Sequence, residues 1–310
     1  MIPEALTQLD EEPVTLEEKI AHLAHHASYE VNARDLAGFG EAGALLAPGT
    51  RLTISWLPKD DDEDRIAMAR AVTEAGCESM MHIAARRIPS ADALDRLLGR
   101  LADETGTRAA FVVGGDPERA EGPYASGHDA IASGLFARHG FTTIGLPGYP
   151  EGHTAISDEA LDADRRAKLA LVRDAGMMPL LMTQFAFESE PILEWLERVR
   201  AEEPDLRIRI GLAGPASIKT LLRYAAICGL GASARGIGKL GGSIARMLQE
   251  TGPDPIIRAC AERYDRFYAG PTRLHFFPFG GFAKTARWVR TLADGRFTAP
   301  PGKPGLRIDR

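Results

Sequence analysis

Residues 159–183 read EALDADRRAKLALVRDAGMMPLLMT. The spacing predicts an amphipathic helix over Glu159–Ala175, closed by Gly176 as a C-cap, and the apolar run Met178–Thr183 predicts a buried strand. Gly76 and Gly140 likewise follow helical stretches and precede strands. Extended along the chain, the pattern predicts strands at Ser28–Val31, Arg51–Trp56, Glu78–Ile83, Ala109–Gly114, Thr142–Leu146, Met178–Thr183, Arg207–Leu212 and Arg273–Phe277. Helices are predicted at Glu63–Ala75, Ala91–Glu104, Ala125–Arg138, Glu159–Ala175, Glu190–Glu202, Ile218–Cys228, Gly241–Gln249 and Pro255–Tyr268. Strands that alternate with helices pair in parallel. Eight of them within 310 residues point to a closed (β/α)8 TIM barrel, with an open doubly wound sheet as the second choice. No internal linker is visible, so the chain reads as a single α/β domain with an extra N-terminal helix. Its parts are an arm and helix (1–27), the barrel (28–298) and an irregular tail (299–310). Thr15 is the expected N-cap of the extra helix, with Glu17 and Glu18 in its first turn.

Composition narrows the function. With 37 Lys+Arg against 43 Asp+Glu the net charge is −6, which disfavours a general affinity for nucleic acid. The acidic start lacks the apolar core of a signal peptide, and no apolar run approaches the about 18 residues a membrane span needs. The three cysteines, Cys77, Cys228 and Cys260, have neither metal-ligand nor disulfide spacing, so no metal is expected and a reducing cytoplasm fits. The run Asp60–Asp64 reads as acids at the positive end of a helix dipole, and Trp195 and Trp288 as packing. Gly236–Gly241 matches GxGxxG but follows no predicted strand, so it is read as a loop.

In a barrel of this type chemistry sits at the C-terminal strand ends. Glu30 lies there inside an apolar run: either a carboxyl whose raised pKa suits it to general acid catalysis, or one half of an ion pair with a neighbouring arginine. The second strand ends in Ser55-Trp56, and the third carries His82 ahead of Arg86 and Arg87. Asp116 follows two glycines, as a ligand contact or as an ordinary turn residue. Gly148-Tyr149-Pro150-Glu151-Gly152-His153 gathers a ring, a carboxylate and an imidazole in one loop. Arg165, Arg166 and Lys168 on the next helix face either a phosphate or water. Gln184 offers a donor and an acceptor to a heteroaromatic edge, and Phe185 and Phe187 offer stacking surface or core.

Together these loops resemble the methylenetetrahydrofolate reductase family. Gly148–His153 is similar to its (A/G)YPExH loop and Thr183-Gln184-Phe185-Ala186-Phe187 to its TQFFF. Gly115-Asp116-Pro117, His82, Tyr124-Ala125-Ser126, Glu30 and Leu274–Phe277 match further motifs in the family's order, over roughly residues 28–290. The resemblance implies a flavin-bearing barrel that interconverts 5,10-methylene- and 5-methyltetrahydrofolate. Glu30 would be the general acid, Asp116 would stabilise the cationic folate, and Gln184 and Phe187 would hold the substrate. Ser55, His82, Asp116, Tyr124, Ala125, Tyr149 and His153 would line FAD, with Arg165 and Lys168 near its phosphates. NAD(P)H is the family's electron donor.

Four features depart from the family. The prolines after Glu30 are absent, and Gly114 stands where the family has arginine. Its basic stretch near the FAD phosphates reads Lys168-Leu169-Ala170-Leu171-Val172, and the phenylalanine that stacks nicotinamide has no counterpart. Two rival expectations follow: a flavin-free folate-binding homologue that performs one-carbon or methyl transfer, and a folate-binding subunit of a partner protein. The arm at residues 1–27 is read either as a docking segment, for a partner or a second subunit of a homo-oligomer, or as a helix packed on the barrel.

Overall fold

The computed structural model describes residues 13–57, 60–227, 250–264 and 271–308. The apolar runs become strands β1 (Ser28–Val31), β2 (Arg51–Ile54), β3 (Glu78–Ala84), β4 (Ala109–Val113), β5 (Thr143–Gly148), β6 (Met178–Thr183), β7 (Arg207–Ala213) and β8 (Thr272–Phe277). They form one closed parallel barrel, sealed where Ser28 and Tyr29 of β1 meet His275 and Phe276 of β8. The structure is a (β/α)8 TIM barrel in a single domain.

The helices are α1 (Leu16–His25), α2 (Leu36–Gly43), α3 (Asp62–Glu74), α4 (Ala91–Thr105), α5 (Gly127–Ala132), α6 (Leu135–Arg138), α7 (Asp158–Asp174), α8 (Ser189–Glu202), α9 (Ile218–Ile227), α10 (Asp254–Glu262) and α11 (Phe282–Ala293). Thr15 caps α1 as expected: the Glu18 amide donates to its hydroxyl at 3.2 Å, and the Thr15 amide donates back to the Glu18 carboxylate at 2.9 Å. Gly76, Gly140 and Gly176 all have positive φ, as C-caps require.

Four sequence expectations change. Helices α2 and α11 were not expected. The helix predicted at Ala125–Arg138 divides into α5 and α6 at Gly134, whose φ of 73° no helix interior accepts. The tail is not irregular throughout, because Phe297–Thr298 and Arg307–Ile308 pair antiparallel. The predicted helix Gly241–Gln249, the Gly236–Gly241 motif, Cys228 and residues 1–12 lie outside the described residues.

Alternation along each strand separates two cores. Tyr29, Val31, Leu52, Ile54, Ile83, Val112, Ile144, Leu146, Ile208, Ile210 and Leu212 are buried beneath the helices. The opposite parity fills the lumen, where Met80, Ala109, Phe111, Leu180 and Met182 form a separate cluster. Two glycines make room for large rings there. A Cβ on Gly145 would stand 2.8 Å from the Phe111 ring. One on Gly211 would stand 2.7 Å from the Phe277 ring and would collide with the Thr183 carbonyl.

A backbone carbonyl in a closed sheet cannot step aside. Gly211→Ala is therefore expected to lower unfolding stability by about 1–3 kcal/mol, the usual cost of overpacking, read as a reduced urea midpoint.

Candidate functional site

Tyr29 and Val31 are buried in the outer core, so Glu30 between them turns toward the C-terminal end of the lumen. The Ser55 hydroxyl donates to the Val31 carbonyl at 3.0 Å and stands within hydrogen-bonding reach of the Glu30 carboxyl. Burial raises the Glu30 pKa to about 7. The Ser55 bond opposes the rise and the nearby Asp35 charge adds to it. Asp35 is itself fixed, accepting from the Asn32 amide at 2.9 Å and from its side-chain Nδ2 at 2.8 Å. No ion pair joins Glu30 to an arginine among the described residues, so the site carries a carboxyl poised to hold a proton near neutral pH.

Beside it, β3 aims His82 into the lumen against the Phe111 ring, centroids 5.3 Å apart. Both imidazole nitrogens are sealed from solvent without a hydrogen-bond partner among the described residues. Burial, then the charges of Arg65 and Arg87, hold its pKa down at about 3, so the ring is neutral. Arg65 was missed by sequence reasoning. It is fully buried on α3, donates to the His82 carbonyl at 2.5 Å and to Asp62 at 3.1 Å, and stacks over Trp56 at 4.2 Å. The signal was present: Arg65 occupies the same apolar stripe as Ile66, Met68, Ala69 and Val72.

Arg87 also lies over the Trp56 ring, at 6.0 Å, and pairs with Asp116 at 3.2 Å. Asp116 is 92% exposed, so it stands on the rim in water and not in the lumen beside Glu30. Arg86 clamps the same loop, donating from Nε to the Ala125 carbonyl at 2.9 Å and from Nη1 to the Pro117 carbonyl at 3.2 Å. Its guanidinium lies beside Gly114, where a Cβ would meet it at 3.9 Å. Tyr124, in that loop, is buried with its hydroxyl unpartnered among the described residues.

The β5–α7 loop sets Tyr149 edge-on to His153, centroids 5.5 Å apart. His153 is exposed and its Nδ1 accepts from the Ala155 amide at 3.1 Å. Burial, with the nearby Asp164 charge, raises the Tyr149 pKa. The two cations expected near a cofactor phosphate already carry ion pairs, with Nε and Nη1 of Arg165 buried and unpartnered among the described residues. Arg165 is buried and donates to Glu202 at 2.9 Å and Asp162 at 3.3 Å, and buried Lys168 donates to Asp164 at 2.5 Å. Arg166 also binds Glu202, at 2.8 Å.

Across the mouth, the backbone amide of Gln184 donates to the Gly148 carbonyl at 2.8 Å, which fixes the residue at the end of β6. Its side chain is half-buried and makes no hydrogen bond to a described residue. Next to it stands an aromatic wall: Phe185 with Phe187 (5.5 Å), Phe277 (5.7 Å) and Phe279 (4.8 Å), and Tyr224 stacked on Phe279 at 4.0 Å. Tyr224 and Phe279 were not singled out from the sequence. They come from segments some 50 residues apart in the chain that only the barrel brings together.

The chain thus belongs to the (β/α)8 barrels, with an acid, a neutral imidazole, an amide and an aromatic wall on the C-terminal face. No family model matches it. Among solved structures it is similar to an uncharacterized protein from Clostridium thermocellum that binds two copies of 5-methyl-5,6,7,8-tetrahydrofolic acid. The TM-score is 0.56 and the identity 12%, over 89% of this chain and 98% of that one. It is also similar to the GH18 chitinase ChiB of Flavobacterium johnsoniae, with a TM-score of 0.45 and 10% identity over 90% and 97% of the two chains. At 12% identity the likeness to the first of these shows the fold alone.

The Glu30 pKa makes stability depend on pH. Its folded-state value of about 7 exceeds the ordinary 4.5, so its contribution is fully present below pH 4.5 and is lost as pH rises through 7. Glu30→Gln removes that loss. Chemical denaturation is expected to find the variant more stable than wild type at pH 8, by up to about 3 kcal/mol, and level with it at pH 4.

Proposed function

We propose that the C-terminal mouth binds a reduced folate carrying a one-carbon unit, and that Glu30 supplies the proton its chemistry requires. The observation that carries this reading is the lumenal Glu30 carboxyl, paired with no arginine among the described residues and with a pKa near neutrality. Breaking a carbon–nitrogen bond of a methylene- or methyltetrahydrofolate leaves an electron pair on the folate nitrogen, and a proton must reach it. An acid whose pKa lies near the working pH is suited to that transfer. Ser55 holds the carboxyl in place. Gln184, whose side-chain amide bonds no described residue, offers it to the donor–acceptor edge of the pterin, and the part-exposed rings of Phe187 and Phe277, packed on buried Phe185, offer apolar surface. The order of the sequence motifs and the likeness in fold to a protein that binds 5-methyltetrahydrofolate support the same ligand class. In this reading Asp116 sits outside the proton step, because its exposed carboxylate is screened and paired with Arg87.

The residues present do not fit the diphosphate of FAD. Lys168 is buried and held by Asp164, and Arg165 is held through Nη2 by Glu202 and Asp162, its Nε and Nη1 being sealed from solvent without a partner among the described residues; a diphosphate would have to displace a carboxylate of the chain to reach the lysine or that nitrogen. We therefore favour one-carbon or methyl transfer without a bound flavin, and derive no hydride step. The flavin reductase reading rests on the His82 nitrogens and Tyr124 hydroxyl, unpartnered among the described residues, which a bound ring system would satisfy.

Three measurements test these readings. Titration of 5-methyltetrahydrofolate against tryptophan fluorescence is expected to saturate, and Gln184→Ala to weaken binding about tenfold or more. Glu30→Gln should still bind while turnover of methylene- or methyltetrahydrofolate falls by about 10²–10⁴. Near wild-type turnover in that variant would overturn the role of Glu30. Separately, protein incubated with excess FAD and desalted is expected to retain no flavin absorption band, and a retained band would restore the reductase reading.

A further inference from the structure

Thr53 of β2 holds a hydroxyl that no bond within the fold uses. Leu52 and Ile54 on either side of it are buried in the outer core, so Thr53 faces the lumen. The residue is fully buried, and its Oγ1 has no hydrogen-bond partner among the described residues. A hydroxyl taken out of water without a new partner costs stability. Valine would fill the same space without that cost.

The neighbours of Thr53 narrow the reason for it. In the sheet register it stands opposite Glu30 of β1 on one side and Met80 of β3 on the other. Paired strands run about 4.8 Å apart, and side chains at paired positions leave the same face of the sheet. Met80 is apolar, so the polar side chain in register with Thr53 is the Glu30 carboxyl. Ser55, the next lumenal residue on β2, has a single hydroxyl proton and donates it to the Val31 carbonyl at 3.0 Å. Ser55 can donate to Glu30 only in place of that bond, whereas Thr53 gives up none.

The two protonation states of Glu30 make different demands. The protonated acid carries its own donor. The carboxylate is acceptor-only, with about four lone-pair sites, and a buried one has to be met by donors. Asp35, from the turn after β1, is a further acceptor and adds negative charge. The imidazoles of His82 on β3 and His275 on β8 are neutral, burial and nearby arginine charge holding each at about 3.

We propose that Thr53 is the positioning residue for the ionised form of Glu30, its hydroxyl donating to the carboxylate directly or across one buried water. When Glu30 yields its proton to a ligand, the Thr53 hydroxyl meets the charge left behind and holds the carboxylate in place until a proton returns. This catalytic consequence rests on the folate reading, and the bond itself does not.

The test reads the titration of Glu30 in the ligand-free full chain, by pH-difference infrared spectroscopy of the carboxyl band that Glu30→Gln abolishes. Thr53→Val removes the donor and keeps the shape. Loss of a donor to the charged form destabilises the carboxylate and not the acid, so the Glu30 midpoint is expected to rise, with about a tenfold gain in proton affinity or more. Thr53→Ser keeps the hydroxyl and is expected to titrate with wild type. Should Thr53→Val not fold, Thr53→Ala removes the same donor. A midpoint unmoved by loss of the hydroxyl overturns the inference, as does an equal rise in Thr53→Ser, which would mark a packing effect. In folate turnover the alkaline limb of the pH profile should move up with the midpoint. Wild-type protein that turns over no folate would sink the folate reading and leave the titration to decide the role of Thr53.

Discussion

A closed barrel of eight parallel strands has an inside that must be filled, and everything else in this protein depends on how that is done. The middle of the lumen is apolar, built from Met80, Phe111, Leu180 and Met182. Gly145 and Gly211 yield the space that Phe111 and Phe277 occupy. This plug divides the lumen into two compartments of opposite character. One end holds the Glu30 carboxyl and the other the Arg209 guanidinium. Each group is perturbed mainly by loss of water, and the same burial that raises an acid lowers a base. The barrel thus shifts an acid and a base in opposite senses through their depth in the fold.

Around the carboxyl, the supporting residues work by being committed elsewhere. Arg65 spends its bonds on Asp62 and the His82 carbonyl, and its face on Trp56. It therefore fixes the end of β3 and contributes positive potential that keeps His82 neutral. Arg87 repeats the arrangement at the rim with Asp116. A neutral imidazole, a half-protonated carboxyl and an open amide make a site better suited to a neutral or weakly cationic heterocycle than to a bare anion.

Much of this was legible in the sequence. The strands announced themselves as apolar runs after glycine caps, and Glu30 stood out as a carboxyl inside such a run. Helix α2 was not legible, because LAGFGEAG carries three glycines and little intrinsic helicity. It is held by Phe39 stacked on Phe282, 5.7 Å away, a contact formed only once the chain closes. Helix α11 could have been read, since Phe282, Ala286, Val289 and Leu292 keep helical spacing. At the site, a Gly-Asp-Pro turn does not reveal whether its carboxylate faces lumen or water, so the exposure of Asp116 was hidden. The pairing of Lys168 with Asp164 and of Arg165 with Asp162 was written in their spacing of four and three residues. The approach of Glu202 from α8 was not.

The double clamp by Arg86 has one further consequence. By holding the carbonyls of Pro117 and Ala125 it fixes the loop between β4 and α5 before any ligand arrives. Ordering a loop normally subtracts from affinity, and here that entropy is already lost on folding. Association at this face then resembles a key entering a rigid lock, and its heat-capacity change should reflect only the apolar surface that the ligand covers.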